Sequence, residues 1–278
     1  MRLRLPGGRR IAALSPRRRL FLGLSALVVV GLVAAIVVPS VASGGAAARS
    51  GFPAQNQAGP VLLVPGYGGD TGSLTQLADR IRATGRQATV VSLPDGGIGD
   101  LGTQADVLDG YVNSALRSAP SVDIVGYSAG GVVALLWAAQ HQGATKARRV
   151  VTFGSPFHGT TVASAGAAVD PAACPTACQE LIPGSSLLTQ LSRFAPAGHP
   201  SWLSLWTTQD QTVVPPDSAD LPGALDVPLQ SVCADEQVAH GGLPTDGLVT
   251  GIVLRALGTG PLSAPTSADC SALRALSR

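Results

Sequence analysis

Charge and aromatic rings are scarce in this chain: only 13% of its 278 residues are Asp, Glu, Lys or Arg, and only 4% are Phe, Trp or Tyr. Together with 45% hydrophobic residues, 34 Gly and 21 Pro, that scarcity excludes a disordered polymer and fits a globular chain with a real core and many turns. The length does not by itself call for two domains, because α/β folds often run to about 200–250 residues as one unit. Acidic residues are absent from the first 50 positions, which hold eight of the 19 Lys and Arg. Residues 51–278 therefore carry 11 basic against 17 acidic groups, a net −6. That body lacks the clustered Lys and Arg needed to neutralise phosphates, which argues against nucleic acid as a partner. No internal repeat, nucleotide motif or carboxylate cluster of calcium type is visible, and no cofactor is expected.

Charge is also missing from Leu20 to Val38, a run of 19 residues preceded by Arg17-Arg18-Arg19 and followed by small residues around Ala42 and Ala46-Ala47-Ala48. Such a run reads as an export signal or a membrane anchor. Its length lies between the about 7–15 apolar residues of a cleaved signal and the about 20 that span a bilayer. Arg18-Arg19-Leu20-Phe21-Leu22 further resembles a twin-arginine export motif. Every version leaves the body outside the cytoplasm, secreted or tethered, because the positive charge stays inside. No cysteine precedes position 174, and the four that follow, Cys174, Cys178, Cys233 and Cys270, read as two disulfides in an exported chain. Of three connectivities, Cys174–Cys178 with Cys233–Cys270 is preferred: the first closes a tight local loop and the second ties the C-terminus to the body. A metal site is disfavoured, since Cys174-Pro-Thr-Ala-Cys178 has no partner Cys or His at ligand spacing.

Residues 1–58 thus divide into a signal or anchor and a flexible Gly/Ala/Ser linker over 39–58, and residues 59–278 form the folded domain, with its first strand just after Pro60. Short β-branched runs at Val61–Val64, Ala88–Ser92, Val122–Gly126, Val150–Gly154, Leu203–Thr207 and Leu229–Cys233 read as strands. Helical patterns fall near Ser73–Thr84, Gly102–Ala119, Ala129–Gln142, Leu187–Phe194 and Asp246–Leu257. This alternation predicts an α/β fold, a mostly parallel sheet with helices on both faces. Ligands gather at the carboxyl ends of such strands, so the loops that follow them are where chemistry is sought.

Gly126-Tyr127-Ser128-Ala129-Gly130 follows one strand and opens an apolar helix, which is the strand–turn–helix setting of a nucleophile elbow. A serine hydroxyl is a poor nucleophile at neutral pH and needs a histidine base with an acid to orient it. Only four histidines are available. The chain order nucleophile, acid, histidine selects His240, expected between the last strand and the last helix, over His141, His158 and His199. Asp210, directly after Leu203–Thr207, is the expected acid; Asp217, Asp235 and Asp246 compete, and Asp246 is better placed to meet the positive end of the last helix dipole. The oxyanion of a tetrahedral intermediate would take the backbone N–H groups of Ala129 and, from the loop Pro65-Gly66-Tyr67-Gly68-Gly69, of Tyr67.

With elbow, acid, histidine and Gly-rich loop in that order, the sequence resembles the small secreted bacterial lipases of the class 2 (triacylglycerol lipase) type. The resemblance rests on Val61–Gly69, Val122–Gly131, Val151–Pro156 and Asp210–Pro215, and covers about residues 60–257. Many relatives carry histidine where this chain has Pro65. The resemblance implies the α/β-hydrolase fold and hydrolysis of acylglycerols or shorter esters through an acyl-enzyme. A cap over Thr160–Pro200 and a monomeric state are also expected. A cell-envelope acyltransferase on the same fold and a non-catalytic surface binding protein are the alternatives.

Overall fold

The computed structural model describes residues 51–277 apart from residue 197. The run Leu20–Val38, the twin-arginine-like motif and most of the linker stretch lie outside the described residues. Among the described residues no helix is long and apolar enough to cross a membrane.

In chain order the elements are β1 (Val61–Val64), α1 (Gly72–Ala83), β2 (Ala88–Val90), α2 (Leu101–Ala115), β3 (Val122–Tyr127), α3 (Ala129–Gln140) and α4 (Gly143–Lys146). They continue with β4 (Ala147–Phe153), α5 (Thr161–Val169), α6 (Thr176–Glu180), α7 (Ser186–Leu191), β5 (Ser201–Trp206) and β6 (Leu225–Pro228). The chain closes with α8 (Leu229–Val232), α9 (Gly247–Ala256) and α10 (Cys270–Leu276). The six strands form one sheet in the order β2-β1-β3-β4-β5-β6, and every neighbouring pair is parallel.

The central strands are buried on both faces of that sheet, so their successive side chains feed two cores. Leu62, Val64, Ile124 and Val150 pack with α2 and α3, whereas Val61, Leu63, Val125 and Val151 pack with α1 and α9. Helix α3 is buried at almost every position, which is why it carries ten apolar or glycine residues in succession from Ala129 to Ala138.

Three sequence expectations change. Leu229–Cys233 is not a strand: the sixth strand is β6, immediately before it, and Leu229–Val232 is a helical turn. Leu229 and Val232, three residues apart, are both buried while Ser231 is exposed, a helical period that so short a segment hides. Strand β4 starts at Ala147, three residues before the predicted Val150, and so includes Arg148 and Arg149, charged residues that mimic a boundary. Finally, α9 is not the last helix, because α10 follows it.

Arg148 is buried with its charge paired to an acid, and Arg149 with its donors met by oxygens of neighbouring residues. Arg148 donates from Nε to Asp123 Oδ1 at 3.0 Å and from Nη2 to Asp123 Oδ2 at 2.5 Å. Arg86 reaches the same carboxylate at 2.7 Å. One carboxylate cannot balance three guanidiniums, and a buried charge left without partners is costly. Backbone carbonyls supply the rest: Arg148 also donates to Gln55, Leu257 and Gly258, and Arg149 to Ala256, Gly258 and Gly260. Residues around Gln55, at the end of the linker stretch, are thereby tied to the domain although they form no helix or strand.

Candidate active site

The carboxyl ends of the strands bring the sequence-selected residues together. Ser128 follows β3 with φ 54° and ψ −128°, a region that a non-glycine residue adopts only at a cost. That turn aims the serine outward while its N–H donates to Phe153 O at 3.0 Å. Strand and helix meet so closely that a Cβ at position 126 would lie 2.7 Å from Gly131 Cα, and one at position 130 would fall on the Val64 carbonyl oxygen. The two glycines of the elbow are therefore required by space.

His240 begins the 3₁₀ turn His240–Thr245, and its Nε2 lies 3.0 Å from Ser128 Oγ. Its Nδ1 lies 2.6 Å from Asp210 Oδ2. The other carboxylate oxygen accepts the N–H groups of Thr212 and Val213, each at 2.8 Å, so the carboxylate is fixed from both sides. All three side chains are withdrawn from water, with exposures of 8% for Ser128, 6% for Asp210 and 7% for His240. In this line the serine hydroxyl can pass its proton to Nε2 while the carboxylate holds Nδ1–H and so selects the tautomer.

The loop after β1 passes against the serine: a Cβ on Gly66 would come 2.9 Å from Ser128 Cβ. Neither the Tyr67 nor the Ala129 N–H donates to a protein acceptor among the described residues. A cavity of about 180 Å³ opens beside Ser128 and Tyr67, walled by the start of α5, by Cys178 and Leu181, and by Thr212 and Val213. Its lining is predominantly apolar. The expected cap segment supplies much of that wall: between β4 and β5 it folds into α5, α6 and α7, with α6 containing Cys178 of the Cys174–Cys178 disulfide.

With the geometry in place, comparison with known proteins gives a one-sided result. No family model and no curated protein matches the chain. Solved structures do: lipase B of Aspergillus fumigatus superposes with a TM-score of 0.63 at 17% identity, over 82% of this chain and 63% of that one. The Bacillus licheniformis lipase BlEst2 in its propeptide form gives 0.61 at 16% identity, over 78% and 53%. This chain has the α/β-hydrolase fold. A structure of the metagenome-derived lipolytic enzymes LipS and LipT gives 0.56 at 16% identity, covering 72% of this chain and 95% of that one. The hydrolase-fold chain thus spans less than two thirds of the first two proteins, and at such identities the likeness is one of fold.

On this fold the remaining histidines have other settings. His141 ends α3, 2.9 Å from Asp106; His158 is exposed, with its backbone N–H bonded to Ser218; the His199 ring stacks on Phe52 at 3.9 Å. Among the competing acids, Asp246 caps α9 by accepting the Val249 N–H at 2.9 Å, and Asp235 pairs with Arg274 at 3.0 Å. Cys233, Asp235 and Cys270 cluster at ligand-like distances, but both sulfurs are consumed by the Cys233–Cys270 disulfide. The two disulfides fit an oxidising compartment.

Several supporting residues escape the sequence reading. Thr160 Oγ1 donates to Thr212 O at 2.7 Å and accepts the Val214 N–H at 3.0 Å, which joins the cap to the Asp210 loop. Thr207 Oγ1 donates to Val238 O and accepts from Gln230 Nε2, joining the end of β5 to the His240 loop. Tyr127 donates its hydroxyl to His240 O at 3.2 Å. Burial, then the charges of Asp210 and Asp70, push its phenol up to about 12, so it remains a neutral donor. An ordinary Thr or the variable residue before the elbow serine carries no sequence signal of such a role.

Proposed function

We propose that this protein is a serine hydrolase of carboxylic esters of lipid type. The observation that carries the reading is the buried line from Ser128 through His240 to Asp210, with contacts of 3.0 and 2.6 Å. His240 Nε2 takes the proton of Ser128 Oγ as the oxygen attacks the ester carbonyl. The N–H groups of Tyr67 and Ala129 receive the oxyanion. Collapse breaks the bond to the alcohol, which leaves with the proton from His240, and the acyl group stays on Ser128. Water, deprotonated by His240, then attacks the acyl-enzyme and returns the free serine. Asp210 orients the ring through Nδ1 and stabilises the imidazolium in both halves. The route calls for no cofactor. The lipid preference is supported by the apolar cavity at the serine and by neighbours of the same fold named as lipases. The setting is extracytoplasmic, in secreted or tethered form, supported by the disulfides and by the apolar run beyond a basic end.

The test is labelling with a fluorophosphonate beside hydrolysis of 4-nitrophenyl butyrate. The label is expected on Ser128 alone, and Ser128→Ala is expected to lose turnover by about 10⁶-fold. Hydrolysis surviving in Ser128→Ala, or a folded wild type that neither labels nor turns over, would overturn the proposal.

A further inference from the structure

The cavity beside Ser128 has an inner end and a mouth. Leu181, Ala163 and Val213 are exposed by only 5%, 9% and 1%, whereas Val162 and Tyr67, which also line the cavity, are each 45% exposed. An acyl chain attached at Ser128 would therefore be dry along the first side chains and wet once it passed the mouth. The volume of this open-mouthed cavity is about 180 Å³. A dry apolar cavity of about 150 Å³ takes one benzene, six carbons, so this one holds roughly seven. It is also smaller than the about 300 Å³ at which pockets for drug-sized ligands begin.

From this we infer that the substrates are esters of short and medium acyl chains, up to about octanoyl, and that Leu181 and Ala163 set the limit. The inference rests on the ester-hydrolase reading of the same site. Each methylene that enters the cavity leaves water and gains binding, and each one beyond the mouth gains little. The wall that sets the limit is held by chemistry the cap itself supplies. Cys178 lines the cavity and is locked to Cys174, and Leu181, three residues on, accepts the Thr160 N–H at 2.9 Å through its carbonyl. The limit is thus a property of a fixed wall.

The experiment is kcat/KM of the full chain on 4-nitrophenyl esters from acetate to palmitate, with Leu181→Ala and Ala163→Leu measured alongside. The wild type is expected to rise about fourfold per methylene to about octanoate and then level or fall. Leu181→Ala, which removes three carbons from the wall, should move the break up by about three carbons, and Ala163→Leu, which adds three, should move it down similarly. If Leu181→Ala fails to fold, Ala163→Leu decides. Calorimetric binding of the corresponding fatty carboxylates to Ser128→Ala gives the same break without turnover. A wild type that hydrolyses no ester while Ser128→Ala keeps the binding break would sink the hydrolase reading and uphold this limit. A gain continuing to palmitate, or a break that neither variant moves, would overturn the limit.

Discussion

At the scale of single residues, the site depends on a carboxylate with every partner specified. Asp210 accepts two backbone N–H groups on one oxygen and faces His240 Nδ1 with the other. Asp210→Asn keeps the shape, yet its amide would present a donor to the ring nitrogen and select the wrong tautomer. We expect kcat to fall about 10⁴-fold with an unchanged circular dichroism spectrum; a fall under about tenfold would place the acid elsewhere. The elbow glycines and Ser128 itself are legible in the sequence because space and backbone strain leave few alternatives at those positions. Tyr127, Thr160 and Thr207 are not legible, because what recruits them is a carbonyl oxygen delivered from another loop.

At the scale of elements, the cap joins the body at the start of α2. Asp100 caps that helix by accepting the Thr103 N–H at 2.6 Å, and Glu180, at the end of α6, accepts the Leu101 N–H at 2.8 Å. Burial holds the Glu180 carboxyl above its ordinary value of 4.5, with Asp100 adding to the effect. An acid whose pKa is raised on folding binds its proton more tightly in the folded state. Its contribution to stability is therefore present below pH 4.5 and lost as pH rises through the raised value. Glu180→Gln removes that dependence, so urea titrations should show the variant gaining stability relative to the wild type between pH 4 and pH 7. Equal slopes for both proteins would refute the assignment. The strand–helix alternation was readable along most of the chain, since strands buried on both faces leave short apolar stretches between the helical patterns. The errors at β4 and β6 share one cause: whether an arginine or a four-residue mixed segment belongs to a strand is decided by the neighbour it meets.

For the whole molecule, the C-terminal segment fastens the loop that carries His240. Cys270 binds Cys233, and Arg274 pairs with Asp235 at 3.0 Å and Glu236 at 2.9 Å, all within seven residues of the histidine. Chain entropy gives the 37-residue separation a stabilisation of about 4 kcal/mol and the four-residue separation of Cys174–Cys178 about 2. The Cys233→Ser/Cys270→Ser double variant should thus lose more thermal stability than Cys174→Ser/Cys178→Ser, and scanning calorimetry checks the order; the reverse order would mean that strain or packing outweighs loop closure. The sequence by itself determined the scaffold and the residues it gathers: a serine in its elbow, a late histidine, an aspartate after the fifth strand, and a parallel sheet to present them. Those features are local, written in spacing, glycine and hydrophobic period. Only the tertiary structure decided the size of the apolar cavity at Ser128, the partners that fix Asp210 and His240, and the burial of Arg148 and Arg149. Each of these is set by groups far apart in the chain that meet only when the sheet closes.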